Sequence, residues 1–520
     1  ESHERRVAGR IAALLGTPAV RPGIGATPYD TAWLASVPAE ADPRSPRFPE
    51  CLQWLVDHQR TDGSWGGDVR YEHDRVVCTL GALVPLATFG RRAEDARCVA
   101  AGTRYLWQRA HRLASEPVEL VAFELLLPAL VRRAQQAGIP VPPNLDLYQS
   151  ERADKLRLIP PEALYSPGAT VAHSLEFLGE QAHPDGLRAA QGRNGAIGNS
   201  PAATAFYLAL SNDPRARAYL QECLFRTEGV AAPVLYPCET FELLWAAYPL
   251  FLAGVSPRLL LDPAERAALA DALQSGGVSL SPSFPIPDAD DTAVALLLLH
   301  ELGEPVDPGV LQRFALPGGH FASFPRERHP SVGVNLHVLH ALLRVPGYPD
   351  RDRVIGSLLD FLIGQQIGSL YWLDKWHVSP YYATAHAIRV FAELPAGPAS
   401  RVAPFVTRAR EWLRQTQTRE GGWGFYGAPT VEETAYAVLA LTAGDATRRD
   451  LADRRACAAG VRYLKTALDR AGGDRSFPAL WIDKCLYTPP LVVRAAIEAA
   501  RLACLGRWRA AGPILEQAAS

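Results

Sequence analysis

The 520-residue chain has no methionine, where ordinary usage would supply on the order of ten. Translation of a chain so rich in Leu and Ala gives no reason for this. We therefore expect methionines to have been lost, leaving breaks in the backbone and neighbouring spacings one short. Cysteine clusters are also missing. The eight cysteines are scattered, the closest two (Cys223 and Cys238) stand 15 positions apart, and there is no C-x-x-C. This points away from structural zinc and towards thiols used as small core residues. Lysine is scarce: of 53 basic residues only Lys155, Lys375, Lys465 and Lys484 are lysines, so a lysine in a motif is a candidate for work that needs its compact charge. With a formal net charge of -2 the chain lacks the basic surplus of a nucleic-acid partner. No apolar run is long enough to span a bilayer and no charged-then-apolar leader opens the sequence. A soluble, cytoplasmic protein without membrane insertion is expected.

What is present is organised around helices. Five segments place Thr-Ala at the head of an apolar helix: YDTAWLASV at Thr31, PAATAFYLAL at Thr204, DDTAVALLLL at Thr292, YATAHAIRV at Thr384 and EETAYAVLAL at Thr434. An acid or Thr before an apolar run is a helix-start signal, because its oxygen accepts from free backbone N–H groups. Helices apolar nearly all round are buried. Between them lie Arg-rich amphipathic helices such as VRYLKTALDRA, and the alternation predicts a double ring, an α/α barrel. A second repeat sets Gln six residues before Trp in QRTDGSWG (Gln59, Trp65) and QTREGGWG (Gln417, Trp423), with a degenerate copy at Gln191 ending on Ile197. We read it as a staple, in which Gln bonds backbone at a helix end and the indole packs on the next helix. A third, W-x-D-K-x-x-x-[ST]-P, occurs from Trp372 and from Trp481 and holds Lys375 and Lys484. Repeats in both halves imply two helical barrels, with a Pro-rich change of texture at 253–266 and no strand-rich domain.

The stretch SFPIPDADDTAVALLLLH crowds Asp288, Asp290 and Asp291 at the mouth of an apolar helix. Like charges raise at least one pKa and apolar surroundings raise it further. Such a cluster either caps the helix or holds a carboxylic acid protonated near neutral pH. Aligning the repeats on Thr-Ala sets Glu432 and Glu433 against Asp290 and Asp291, which keeps an ordinary capping role open, above all for Asp291.

With D-x-D-D, two Q-x-x-x-x-x-W repeats, NSPAATAFYL and DKWHVSPYYATAHAI in place, the whole chain resembles the class II diterpene cyclases of the bacterial copalyl diphosphate synthase type. The resemblance implies an all-α fold of two α/α barrels, β and γ, with the active site between them. Residues 1–18 and 257–520 would form β and 19–256 an inserted γ. It implies protonation-initiated cyclisation of geranylgeranyl diphosphate to a bicyclic, copalyl-type diphosphate, the ent form being one such product, with the diphosphate retained. Asp290 would be the general acid, held and tuned by Asp288 and Asp291. For the diphosphate the candidates are Lys484, Lys375 and Arg193, the alternative being that each lysine pairs with Asp483 or Asp374 of its own repeat. For Mg²⁺ the acidic motif is poorly matched, SEPVELVAFE offering only Glu116, Glu119 and Glu124. Trp372, Tyr382, Phe425 and Tyr487 are the candidate aromatics for the cationic intermediates. A plant ent-copalyl His–Asn pair that holds the deprotonating water is matched by His173 in VAHSLEFLG, but Val234 stands where the Asn would. The ionisation signature of class I enzymes fails, since DDTAV ends on Val294, so a separate class I terpene synthase would take the product. The rival readings are a squalene–hopene-like triterpene cyclase, an α/α-barrel glycoside hydrolase using Asp288 and Asp290, and a non-catalytic helical toroid.

Overall fold

The computed structural model describes residues 2–16, 23–227, 229–325, 327, 329–444, 450–471 and 477–505. Among them the secondary structure is helical apart from one antiparallel hairpin, Trp481–Ile482 with Leu486–Tyr487. No described helix is long and apolar enough to cross a membrane.

Helix starts follow local chemistry. Proline at the first helical position, pre-set in φ and lacking an N–H to orphan, opens Pro28–Ala35, Pro201–Ser211, Pro380–Phe391 and Pro490–Leu505. Side-chain caps precede the buried helices: Ser200 accepts from Ala203 N–H at 3.0 Å, Ser331 from Val334 N–H at 3.0 Å and Thr430 from Glu433 N–H at 3.1 Å. The threonines of the Thr-Ala repeat are therefore not the caps; Thr204 and Thr434 stand four residues further in, inside the first turn.

Their actual work joins two of the repeats into one unit. Each Thr Oγ1 accepts the backbone N–H of the residue at the tryptophan position: Thr384 from Trp372 at 3.0 Å, Thr434 from Trp423 at 3.0 Å, Thr204 from Ile197 at 2.9 Å and Thr292 from Val278 at 2.9 Å. The indole N–H of Trp65, Trp372 and Trp423 in turn donates to the carbonyl ten residues back, Leu55, Leu362 and Leu413, each at 2.7 Å. Gln59 donates to the carbonyls of Gly63 and Cys98, and Gln417 to those of Gly421 and Ala456, all at 2.8–2.9 Å. One unit thus ties an outer helix, a turn and the next inner helix, satisfying polar groups that burial would otherwise strand.

The inner helices close into two rings. In the first, Pro28–Ala35, Glu72–Phe89, Phe123–Gln136, the 3₁₀ segment Thr170–Gln181 and Pro201–Ser211 contact one another in turn, and the last returns to the first. In the second, Glu239–Leu252, Ala289–Glu301, Val332–Arg344, Pro380–Phe391, Val431–Leu441 and Pro490–Leu505 do the same. The Ser2–Leu15 helix packs outside the second ring against Pro490–Leu505. Two α/α barrels result. Glu239–Leu252 has its most extensive interface with Pro490–Leu505, so we draw the division ahead of Glu239 and not at 256. The expected junction at 18–19 lies outside the described residues.

The hairpin binds the rings together. Its turn presents Lys484, fully buried, to the first barrel, where the ammonium donates to Glu176 Oε1 at 2.8 Å, Ser200 Oγ at 2.5 Å and the His173 carbonyl at 3.0 Å, with Asp30 at 3.9 Å. Burial alone would lower its pKa, but Glu176 and Asp30 outweigh it and keep the amine charged. Leu486 N–H donates to Asp74 at 2.8 Å, and Val121 N–H to the Asp483 carbonyl at 3.0 Å. Removing one partner of a buried ion pair costs about 3–5 kcal/mol because the other charge is left unpaired. Lys484→Met should therefore lower the thermal unfolding midpoint by several degrees while leaving the Michaelis constant near its original value. A weakened Michaelis constant with an unchanged midpoint would make Lys484 a substrate anchor instead.

Candidate active site

Where the barrels meet lies a half-open cavity of about 160 Å³, lined mostly by apolar and aromatic side chains with a few converging polar groups, as small-molecule sites are. The first barrel supplies Val121, Thr170 and His173. The second supplies the first turns of its inner helices, the hairpin, and an aromatic wall of Phe241, Trp245, Phe284, Phe324, Trp376, Tyr382, Trp481 and Tyr487. Asp288, Asp290 and Asp291 lie on the same surface.

The aspartates divide the work in a way their spacing did not show. Asp288, extended at φ -120°, is the helix cap and accepts from Asp291 N–H at 2.7 Å. Capping therefore falls to Asp288, not to Asp291. The Oδ1 of Asp291 is buried with no hydrogen-bond partner among the described residues. Burial, then the Asp288 and Asp290 charges, push the Asp291 carboxyl well above the usual range, and burial raises Asp288 too. Asp290 Oδ1 accepts from Nδ1 of His337 at 2.5 Å. Burial raises its pKa and the His337 contact only partly offsets that. His337 comes from the Val332–Arg344 helix, has a fully buried side chain, and sits behind Asp290, edge-on to Trp245 and Tyr248. Its signal in the sequence is a histidine pair, His337 and His340, inside the largely apolar stretch NLHVLHALL.

His173 meets the same cavity, but neither ring nitrogen is free. Nδ1 donates to the Gly198 carbonyl at 2.8 Å and Nε2 to Asp483 Oδ1 at 3.0 Å. The approach needs glycine at 198, where φ is +56° and a Cβ would lie 2.5 Å from His173 N. Burial alone would lower the His173 pKa, yet Asp483 raises it overall, and the same pairing holds Asp483 below the usual carboxylate range despite its burial. Val234 is buried and makes no polar contact with this pair. The partner is Asp483, from the second W-x-D-K repeat.

Other expected residues are elsewhere. Lys484 is consumed in the seam described above. Lys375 pairs with Glu327, donates to the His329 carbonyl at 2.8 Å and lies over Trp376, outside the cavity lining. Neither lysine pairs with the Asp of its own repeat; Asp374 accepts instead from Ser331 Oγ and Gly333 N–H. Arg193 is exposed. Trp372 is a staple indole, and Phe425 is on the surface against Tyr371 and Tyr426. Of the aromatics named from sequence, Tyr382 and Tyr487 line the cavity, while Trp245 and Trp481 went unnamed. Glu116 accepts from Glu72 N–H, Glu124 pairs with Lys155 at 2.9 Å, and Glu119 is exposed. The three do not converge, and the cluster with metal-ligand spacing among the described residues is Asp74, Cys78 and Cys485. These glutamates as placed do not fit a Mg²⁺ site.

Residues 327–478 match the family model for the squalene-hopene cyclase C-terminal domain. The chain is 32% identical to the terpentedienyl-diphosphate synthase of Kitasatospora griseola, over 93% of this chain and 97% of that one. It is 34% identical to an ent-copalyl diphosphate synthase of Streptomyces strain KO-3988, with 86% of each covered. The solved ent-copalyl diphosphate synthase from Streptomyces platensis superposes with a TM-score of 0.77 at 29% identity, covering 97% of this chain and 100% of that one. By relatedness over nearly its whole length, and by an aspartate cluster facing an aromatic wall, the chain belongs to the bacterial class II diterpene cyclases, isomerases whose reaction begins with protonation.

Proposed function

We propose that the chain cyclises geranylgeranyl diphosphate to a bicyclic, copalyl-type diphosphate. The observation that carries this reading is Asp290, only 16% exposed at the wall of an aromatic cavity and with one oxygen already held by His337. With Oδ1 accepting from His337, the acidic proton resides on Oδ2. It passes to the terminal alkene, whose π electrons form the new C–H bond and leave a tertiary cation. Ring closures then move the cation past Trp245, Tyr382 and Trp481, whose faces attract positive charge. A dry wall is required, since water would intercept the cation. Asp288 and Asp291, both raised in pKa, keep the neighbourhood uncharged enough for Asp290 to hold its proton between turnovers.

The reaction ends with loss of a proton. His173, protonated at both nitrogens, has no lone pair to accept it, so Asp483 is the base of that pair and His173 positions it. A carbocation is acidic enough that even a depressed carboxylate suffices. The C–O bond to diphosphate is untouched, so the product keeps the leaving group that an ionisation-initiated terpene synthase consumes, and such an enzyme is the next step we propose. No step is routed through Mg²⁺.

Asp290→Asn should reduce formation of bicyclic product, identified by mass spectrometry after phosphatase treatment, by at least about 10³-fold, the scale of a lost general acid; near-normal turnover would end the assignment. Asp288→Asn should keep the helix cap and the unfolding midpoint, whereas Asp288→Ala should lose about 1 kcal/mol of capping in thermal unfolding as well as activity. The acid must be protonated, and burial raises its pKa. Activity should therefore be full below that raised value and fall as pH climbs through it, with the alkaline limb of kcat above the ordinary aspartate value of about 4. Asp483→Asn should redirect the final deprotonation, giving another double-bond isomer or a water-trapped alcohol; an unchanged product and rate would take the pair out of the mechanism.

A further inference from the structure

Glu432 stands in the first turn of the Val431–Leu441 helix of the second ring, at the position that the Thr-Ala repeat aligns with Asp290. Its side chain is fully buried, and it does not line the cavity. Oε1 accepts from the indole N–H of Trp481 at 2.8 Å and meets Nε2 of His377 at 3.3 Å. The Ser379 N–H donates to Nδ1 of His377 at 3.1 Å. Nδ1 therefore carries no proton, and His377 is the neutral tautomer that donates to Glu432 from Nε2. Oε2 of Glu432 is buried with no hydrogen-bond partner among the described residues. Both donors thus address one oxygen and nothing receives a proton from the other, as an acceptor-only carboxylate requires. Among the described residues no Lys or Arg pairs with Glu432; its one ionisable partner is the neutral His377. A buried anion with no cation to match it is costly to the resting protein.

Both of its donors belong to the aromatic wall. Trp481 lines the cavity, and His377 lies flat against Tyr382, which lines it too, with ring centres 4.7 Å apart and planes 8° apart. Trp481 and Tyr382 are neighbours, their centres 5.2 Å apart. We propose that Glu432 is a positioning residue that holds the countercharge for the cyclising cation, acting through Trp481 and, by way of His377, through Tyr382. A carboxylate on the indole N–H draws that proton towards itself and leaves more electron density on the ring. The face turned to the cavity then attracts a cation more strongly. Little screens the charge, because the side chains between are apolar or aromatic. Glu432 forms no bond with the substrate and exchanges no proton with it. One helix-mouth position thus serves two moments of the reaction: at Ala289–Glu301 it supplies the proton, and at Val431–Leu441 it supplies the negative charge that the resulting cation needs. This role rests on the chain cyclising geranylgeranyl diphosphate through a cation.

Removing the charge alone separates this role from a structural one. Glu432→Gln in the full chain keeps an oxygen for both N–H donors. Its kcat for bicyclic product should fall by about tenfold or more with the Michaelis constant little changed, because the cation feels the charge and the neutral alkene does not. Two inhibitors give the deciding measurement: an ammonium analogue of geranylgeranyl diphosphate, with nitrogen at the carbon that becomes the tertiary cation, and its saturated carbon counterpart. The unaltered chain should bind the ammonium analogue more tightly. Glu432→Gln should lose about tenfold or more of that preference while the inhibition constant of the carbon analogue stays the same. Glu432→Leu, uncharged and of similar volume, is measured in the same way if the Gln variant does not fold. No preference in the unaltered chain, a preference that survives the substitution, or an equal loss of affinity for both analogues would overturn the role of Glu432. Absence of bicyclic product from the unaltered chain would overturn the proposed function and this role with it, whereas a productive chain whose variant keeps the preference overturns this role alone.

Discussion

A carboxylic acid can protonate an alkene only where water does not compete for its proton, and that desolvation governs the second barrel. It explains why three aspartates crowd one helix mouth without mutual ionisation: in a medium that disfavours the charged form, the protonated carboxyl is the cheaper state. It explains the aromatic wall, since the cation that forms needs polarisable faces in place of water. It also explains why a fixed, buried ring, His337, and not mobile solvent, holds Asp290 at one oxygen.

The same dryness sets a limit on how the barrels can be joined. Cations at the seam must be matched, and they are: Lys484 with Glu176, Ser200 and a carbonyl, His173 with Asp483 and another carbonyl. A lysine in such a place is structural because its three donors are already spent. The short hairpin is the device that makes this possible. Trp481, Ile482, Asp483 and Tyr487 line the cavity, while Lys484 at the turn reaches into the first barrel.

Much of the architecture was legible because buried helices repeat one solution. The Thr-Ala segments, the Gln–Trp staples and the aspartate triad each stood out by spacing, and the two-barrel organisation followed. What was illegible depended on direction. Thr292 and Asp288 both read as helix starters, and only the backbone shows that the cap lies four residues before the threonine. Trp372 and Trp481 open the same motif, yet one indole is tied to Leu362 while the other faces the cavity. Lys375 and Lys484 were drawn towards the diphosphate by their rarity, but their partners, Glu327 and Glu176, lie in distant segments that no local pattern links to them. His337 is one of three polar residues, with Asn335 and His340, inside a largely apolar helix, and its meaning is set by what stands opposite.

The order of the two rings along the chain bears on how the molecule is made. The first ring is complete once Pro201–Ser211 reaches Pro28–Ala35, whereas the second closes only when Pro490–Leu505, near the end of the described chain, meets Glu239–Leu252. Chains fold from the amino end during synthesis, so one barrel can be finished while the other is still an open arc with its apolar inner faces uncovered. The hairpin that lines the cavity emerges after the whole first ring, and it docks onto a surface already formed. The long wait falls on the ring that carries the acid, which makes that ring the part most dependent on protection before release.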